Sequence, residues 1–196
     1  MAAPRRQRLA YRIYRNPFIL FIPGPVLLFL FVHRFPTTAA KKRERISVAL
    51  TNLAILLVVV LASFTIGLRT YLMVQFPVIA IAGSLGLWLF YLQHQFENVY
   101  WARHESWDPM RVALEGSSYL KLPKILQWFT GNIGLHHIHH ARPTIPNYNL
   151  QRCYDNVPAF QAVEPLTIRT SLKSAWLSLY DEEQKRLVSF GALRRS

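Results

Sequence analysis

From Ile46 to Leu68 the chain runs 23 residues without a charge, ISVALTNLAILLVVVLASFTIGL, and from Tyr71 to Leu92 it runs another 22. As helices these stretches reach roughly 33 to 34 Å at about 1.5 Å per residue, enough to cross the hydrocarbon core of a bilayer. Neither carries the polar stripe at 3.6-residue spacing that marks the solvent face of a soluble helix, so both predict membrane spans. Pro77, Gly83 and Gly86 in the second stretch are residues that transmembrane helices tolerate. Arg69 and Thr70 alone separate the two. So short a connection predicts a tight helical hairpin whose outer ends lie on one side of the membrane.

A third apolar stretch, PFILFIPGPVLLFLFV over residues 17–32, is short for a span and is broken by Pro23, Gly24 and Pro25. Proline removes a backbone donor and fixes φ, so this segment is preset to bend. Five arginines precede it (Arg5, Arg6, Arg8, Arg12, Arg15) and Lys41, Lys42, Arg43 and Arg45 follow it. Both flanks favour the cytoplasm, and a re-entrant or interfacial segment satisfies both. A secretory signal is the competing reading, because a basic start, an apolar middle and Thr38-Ala39-Ala40 imitate its three regions, but the Pro-Gly-Pro interruption argues against it. Basic clusters beside membrane segments contact anionic lipid, so nucleic acid is not an expected partner.

Charge sharpens the division. Residues 1–93 hold 11 Lys or Arg and a single acid, Glu44, whereas residues 94–196 hold 12 basic and nine acidic residues. The positive-inside rule then places the KKRER cluster, and with it everything from Gln93 onward, in the cytoplasm. The predicted architecture is an all-α membrane protein: a basic interfacial or re-entrant segment (1–45), a two-span transmembrane hairpin (46–92) and a helical cytoplasmic cap (93–196). In the cap, Leu172, Ala175, Trp176 and Leu179 recur at helical spacing, and Asp181 with Gln184 three residues on predicts a further helix start. Tyr91, Tyr100, Trp101 and Trp107 suit an aromatic belt at headgroup level, or packing of the cap.

The chemistry is concentrated in GNIGLHHIHH, residues 131–140, with four histidines in five positions. On a helix His136, His139 and His140 fall within about 100° of arc, with His137 at the margin. Three imidazoles on one face can hold a divalent metal through neutral ring nitrogens. Asn132 is the candidate N-cap, and Pro143 and Pro146 end the helix just past the ligands. One cysteine, Cys153, rules out an internal disulfide and a Cys-based zinc ribbon, and an all-His set suits redox iron better than structural zinc. His94 follows the second span directly; taken alone it reads as an interfacial anchor more readily than as a ligand, with Glu97 on its face either orienting the ring or solvating the helix end. His33 and His104 read as structural.

GNIGLHHIHH followed by RPTIPNYNL, and preceded by WLFYLQHQFENVYW, resembles the carboxy-terminal half of bacterial membrane fatty acid desaturases, especially the acyl-lipid omega-6 (delta-12) type. The likeness covers essentially the whole chain. His136, His139 and His140 match the family's last HxxHH box, and His94 matches the added histidine of its QHQFE segment. The resemblance implies that these four ligate a non-haem di-iron centre on the cytoplasmic face of the cell (inner) membrane. There the family uses O2, and electrons from a donor such as ferredoxin or a cytochrome, to remove two hydrogens from a fatty acyl chain. The family's two earlier boxes, HxxxH (or HxxxxH) and HxxHH, do not occur between Met1 and Gln93, where His33 stands alone. The expected protein is therefore a truncated desaturase that needs an amino-terminal half for catalysis. Two other readings remain: a membrane di-iron hydroxylase or ketolase, and a non-catalytic membrane protein that binds metal or a partner.

Overall fold

The computed structural model describes residues 3–103 and 107–192, so His104 lies outside the described residues. The chain divides between Leu87 and Trp88 into two compact units, each built around different chemistry.

The first unit is helical. Helix α1 (Arg5–Tyr14) is followed by α2 (Pro17–Phe21) and α3 (Pro23–Leu30), then by a 3-10 turn over Val32–Arg34. Pro17 and Pro23 each occupy the first turn of a helix, where a missing N–H costs nothing, and Asn16 Oδ1 accepts the Phe18 N–H at 3.0 Å. The helix over the apolar stretch 17–32 is thus interrupted at Ile22, just before Pro23. Helix α4 (Lys42–Thr65) begins with the Glu44 carboxylate accepting the Lys41 N–H at 3.0 Å, a negative charge at the positive end of the helix dipole. Helix α5 (Leu68–Leu92) carries Pro77 in its interior.

The turn between α4 and α5 falls at Ile66-Gly67, not at Arg69-Thr70, which belong to the first turn of α5. Gly67 explains the difference: its φ of +84° lies in the left-handed region that a residue without Cβ enters freely, and this ends α4 early. Both α4 and α5 are long and apolar enough to cross a membrane. None of the residues of α4 is buried, and Phe64 is 87% exposed. A core helix of a soluble protein would be covered by its own chain, and α4 is not. Two contacts tie the unit together. Asn52, ten residues inside α4, donates from Nδ2 to the Arg34 carbonyl at 2.8 Å and accepts from Arg34 Nη1 at 3.1 Å. Gly83 of α5 lies against Pro25 and the Phe29 ring, where a Cβ would stand 3.0 Å from Pro25 Cβ.

The second unit is helical with two small sheets. Its elements run α6 (Pro109–Glu115), β1 (Tyr119–Leu120), α7 (Lys124–Phe129), α8 (His136–Ala141), a 3-10 turn (Asn147–Asn149), α9 (Leu150–Asn156), α10 (Pro158–Gln161), β2 (Pro165–Leu166), α11 (Ile168–Ser174), β3 (Leu177–Asp181) and β4 (Arg186–Ser189). Strands β1 and β2 pair in parallel, Tyr119 with Pro165 and Leu120 with Leu166; β3 and β4 form an antiparallel hairpin. Leu135, Ile138, Leu150 and Phe160 make the core, with Tyr119, Tyr154 and Cys153 packed against it. Burial of each such side chain contributes about 1.5–3 kcal/mol.

The hairpin corrects the all-helical cap. The helical spacing of Leu172, Ala175, Trp176 and Leu179 fails after Ser174, where α11 ends, and Leu179 lies on a strand opposite Val188. Asp181 does cap, but a loop rather than a helix: its Oδ1 accepts the N–H groups of Glu183 and Gln184, both at 3.0 Å, and Lys185 takes a φ of +51° to return the chain. The aromatic cluster is split in its roles. Tyr91 is buried and donates its hydroxyl to the Leu177 carbonyl at 2.9 Å, Tyr100 lies 4.3 Å beneath the Arg111 guanidinium, and Trp101 packs on Tyr180, whereas Trp107 is exposed.

Candidate metal centre

Two backbone crossings bring distant histidines together. The segment Gly116–Leu120 runs beside the residues that follow α5, with the Ser118 N–H on the Gln93 carbonyl at 2.9 Å. It also runs beside the approach to α8: the Leu120 N–H donates to the Gly134 carbonyl at 2.8 Å, and the His137 N–H to the Ser118 carbonyl at 3.3 Å. Glycine is required at the end of α6 and at the second crossing. A Cβ on Gly116 would stand 2.6 Å from the Val112 carbonyl oxygen, and one on Gly134 would collide with the Leu120 carbonyl. Gly134→Ala is therefore expected to disrupt this unit, seen as a lowered thermal midpoint in circular dichroism, while Gly86→Ala, with open space at its Cβ, leaves the midpoint near that of the unaltered chain.

Helix α8 starts at His136, three residues later than an Asn132 N-cap would have it. Gly131-Asn132 instead closes α7: both residues have φ near +60°, the Gly131 N–H bonds to the Trp128 carbonyl at 3.0 Å, and the Asn132 N–H to the Gln127 carbonyl at 2.9 Å. That pair of bonds is the usual left-handed end of a helix. The Asn132 side chain donates to the Asn147 carbonyl at 2.7 Å, which ties the loop before α8 to the loop after it.

His94, His136 and His140 converge, with their candidate ligand atoms all within 4.8 Å of one another. His136 Nε2 stands 2.9 Å from His140 Nε2 and 3.3 Å from His94 Nε2. Two nitrogens each about 2.1 Å from a first-row metal and roughly at right angles lie about 3.0 Å apart, so this spacing suits ligands of one ion. A single ring proton on His136 Nε2 can serve only one of its two neighbours, which leaves surplus lone pairs pointed at one another. His94 Nδ1 lies 3.1 Å from the Gly116 carbonyl, and since a carbonyl only accepts, Nδ1 carries the proton and Nε2 presents a lone pair. Glu97 does not orient this ring. Its Oε1 accepts from Arg186 Nη1 at 2.8 Å and its carbonyl from the Leu187 N–H at 2.8 Å, so Glu97 anchors the hairpin. An orienting backbone carbonyl leaves no signature in the residue types, which is why the sequence pointed to the carboxylate.

Burial pushes His136 down to about 3, with His140, His94 and the other neighbouring rings adding to the shift, and burial also lowers His140. The Nδ1 of His136 is buried with no hydrogen-bond partner. Neutral imidazoles with close, surplus nitrogens and no thiolate are a donor set for a first-row divalent metal, and iron(II) fits it.

His139 departs from the helical-wheel expectation. Its ring stacks on His136 at 5.6 Å between centroids, but it is exposed and stands outside the group of three. Together His136 and His139 line a cleft of about 370 Å³ with Ile133, Leu135, Pro143 and Leu150. His137 points the other way. It is fully buried, its Nε2 lies 3.2 Å from the Phe160 carbonyl, and it packs against Tyr119 and Phe160. Desolvation holds it down at about 4 despite that bond. His33 packs on Phe29 with 5.7 Å between centroids.

Both His136 and His137 titrate below the unfolded value of about 6.5, so on acidification the unfolded chain takes up protons first. Their contribution to stability is full above that pH and is lost progressively as the pH falls from there towards 3–4. The thermal midpoint of the metal-free chain in detergent is accordingly expected to drop between pH 7.5 and pH 5, by circular dichroism.

Residues 2–171 match the family model "Fatty acid desaturase". The chain is 47% identical over 193 residues to a protein of Bacillus subtilis (strain 168) named "Fatty acid desaturase"; the match covers 98% of this chain and 55% of that relative, so the chain spans about half the relative's length. No solved structure matches it.

Proposed function

We propose that this chain, which belongs to the fatty acid desaturase family, supplies the membrane anchor and one metal-binding half of an O2-dependent acyl-chain desaturase. The observation that carries the reading is the convergence of His94, His136 and His140, because it joins the end of α5 to the HxxHH segment in a cluster that suits a single metal. Iron bound there would supply O2 activation, with two electrons and two protons from the acyl chain and two of each from the donor side reducing O2 to water. The chain's own residues do the holding. Nε2 of His94, His136 and His140 would hold the ion, the Gly116 carbonyl keeps His94 in the tautomer that leaves Nε2 free, and the buried ring of His137 fixes the back of α8.

A di-iron site needs a second set of ligands. His139, exposed beside His136 over the cleft, is the residue of this chain proposed to join it, with the remaining ligands coming from a complementary portion of desaturase sequence. The substrate is a fatty acyl lipid, and electrons come from a donor of the ferredoxin or cytochrome kind. The test is the fatty acid profile of a host without desaturases in which this chain is expressed together with such a portion, with His140→Ala as the control.

The chain is proposed to cross the cell membrane twice, with the KKRER end of α4 and the His-bearing unit both cytoplasmic. The support is the pair of apolar helices and the charge asymmetry between Lys41–Arg45 and Arg69. Single cysteines at positions 42, 69 and 185, in a Cys153→Ser background, read this out in whole cells with a membrane-impermeant maleimide. Position 69 is expected to label, and positions 42 and 185 only after the membrane is opened. Labelling at 185 but not at 69 contradicts the arrangement.

A further inference from the structure

We infer that α1 is a binding site for anionic phospholipid headgroups, lying along the bilayer surface next to the spans. The inference rests on the proposal above that α4 and α5 cross a membrane. Arg5, Arg8 and Arg12 stand at i, i+3 and i+7 and so share one face of α1, with Arg15 at its carboxy-terminal cap continuing the same line. The rest of the circumference is mostly apolar, carrying Leu9, Ala10, Tyr11, Ile13 and Tyr14 with Arg6 and Gln7 among them. Leu9, Ile13 and Tyr14 are 60%, 50% and 63% exposed, and none of the residues of α1 is buried. No acidic residue precedes Glu44 in the sequence, so this segment carries a strong net positive charge.

Two properties must therefore be met by one partner: a row of guanidinium groups that seeks phosphate, and an apolar face that seeks hydrocarbon. An acidic peptide or a nucleic acid meets the first and leaves the second in water. An anionic bilayer surface meets both, with the apolar face settling at the level of the acyl boundary and the arginines reaching headgroup phosphates. Tethering favours it as well. Because α1 is joined through fewer than about 30 residues to an apolar span, its encounter with the bilayer is intramolecular, and modest affinity suffices.

The experiment uses the full chain with Cys153→Ser and Ala10→Cys, spin-labelled at position 10 on the apolar face, in vesicles of phosphatidylcholine alone or with about a third phosphatidylglycerol. Collision of the label with an aqueous nickel chelate is expected to fall about threefold or more in the anionic vesicles. It should rise again when Arg5, Arg8, Arg12 and Arg15 are changed to Gln, and likewise in the unaltered arginine background at about 0.5 M salt. The lipid and salt series need no arginine variant, so they stand if that variant fails to fold. Equal accessibility in both vesicle types overturns the inference. So does an unshielded label in anionic vesicles from a chain that shifts a short nucleic acid duplex, which would assign the arginines to nucleic acid. Carbonate extraction of the same vesicles separates this from the span proposal: retention of the chain in both lipid mixtures upholds the spans whatever the label reports, and release overturns both.

Discussion

His136→Ala is expected to abolish tight metal binding by the isolated chain, while His139→Ala leaves it nearly intact. His136 is the shared vertex of the cluster, 2.9 Å from one partner nitrogen and 3.3 Å from the other, so its removal takes away the ligand closest to both others. Loss of even an outer partner of a ligand commonly costs about 10–100-fold in metal affinity, and loss of the central ligand exceeds that. His139 offers the contrast, because it lies on the same short helix and in the same motif yet stands outside the group. Isothermal titration with cobalt(II) or iron(II) under argon at pH 7.5 measures both. Equal losses in the two variants would show that the three-histidine grouping is not the binding unit. Circular dichroism of each variant separates loss of a ligand from loss of the fold.

Expressed alone in a host that lacks desaturases, the chain is expected to add no unsaturated fatty acids. The di-iron site proposed for the complete enzyme uses two metals, and the described residues assemble one group of three histidines, enough for one ion. Supplying a polypeptide that covers the rest of the length of the Bacillus subtilis relative should restore unsaturation, visible as new peaks in gas chromatography of the methyl esters. His140→Ala should remove them. New unsaturation from the chain alone, lost in His140→Ala, would mean that this chain builds the whole reactive site. A complemented host with no unsaturation would favour metal binding without catalysis.

The parts of this structure written in side-chain pattern were legible beforehand. Two long apolar runs without a polar stripe became α4 and α5, and the histidine run became a helix with His136 and His140 on one face, because both signals depend on side chains at fixed periods. Parts held by backbone groups were not. The Gly116–Leu120 crossing rests on carbonyl and amide contacts and on two-residue strands too short to carry an alternation, so nothing in the residue types announced that it joins His94 to α8. Local polar signals misled where one chemistry serves two geometries. Asp181 accepts successive N–H groups as a helix cap does, but in a hairpin loop. Gly131-Asn132 has the composition of a helix boundary, and the left-handed φ of both residues makes it the end of α7 instead of the start of α8.

His94, His136 and His140 are proposed to hold one metal ion together. X-ray absorption at the iron edge, on the purified chain loaded anaerobically with iron(II), tests it most directly. About one iron per chain is expected, with a nitrogen shell near 2.1 Å and the multiple scattering of about three imidazoles, reduced to about two in His94→Ala. An iron shell of oxygen ligands without imidazole scattering, or a spectrum unchanged in a chain with all three histidines replaced, would contradict it.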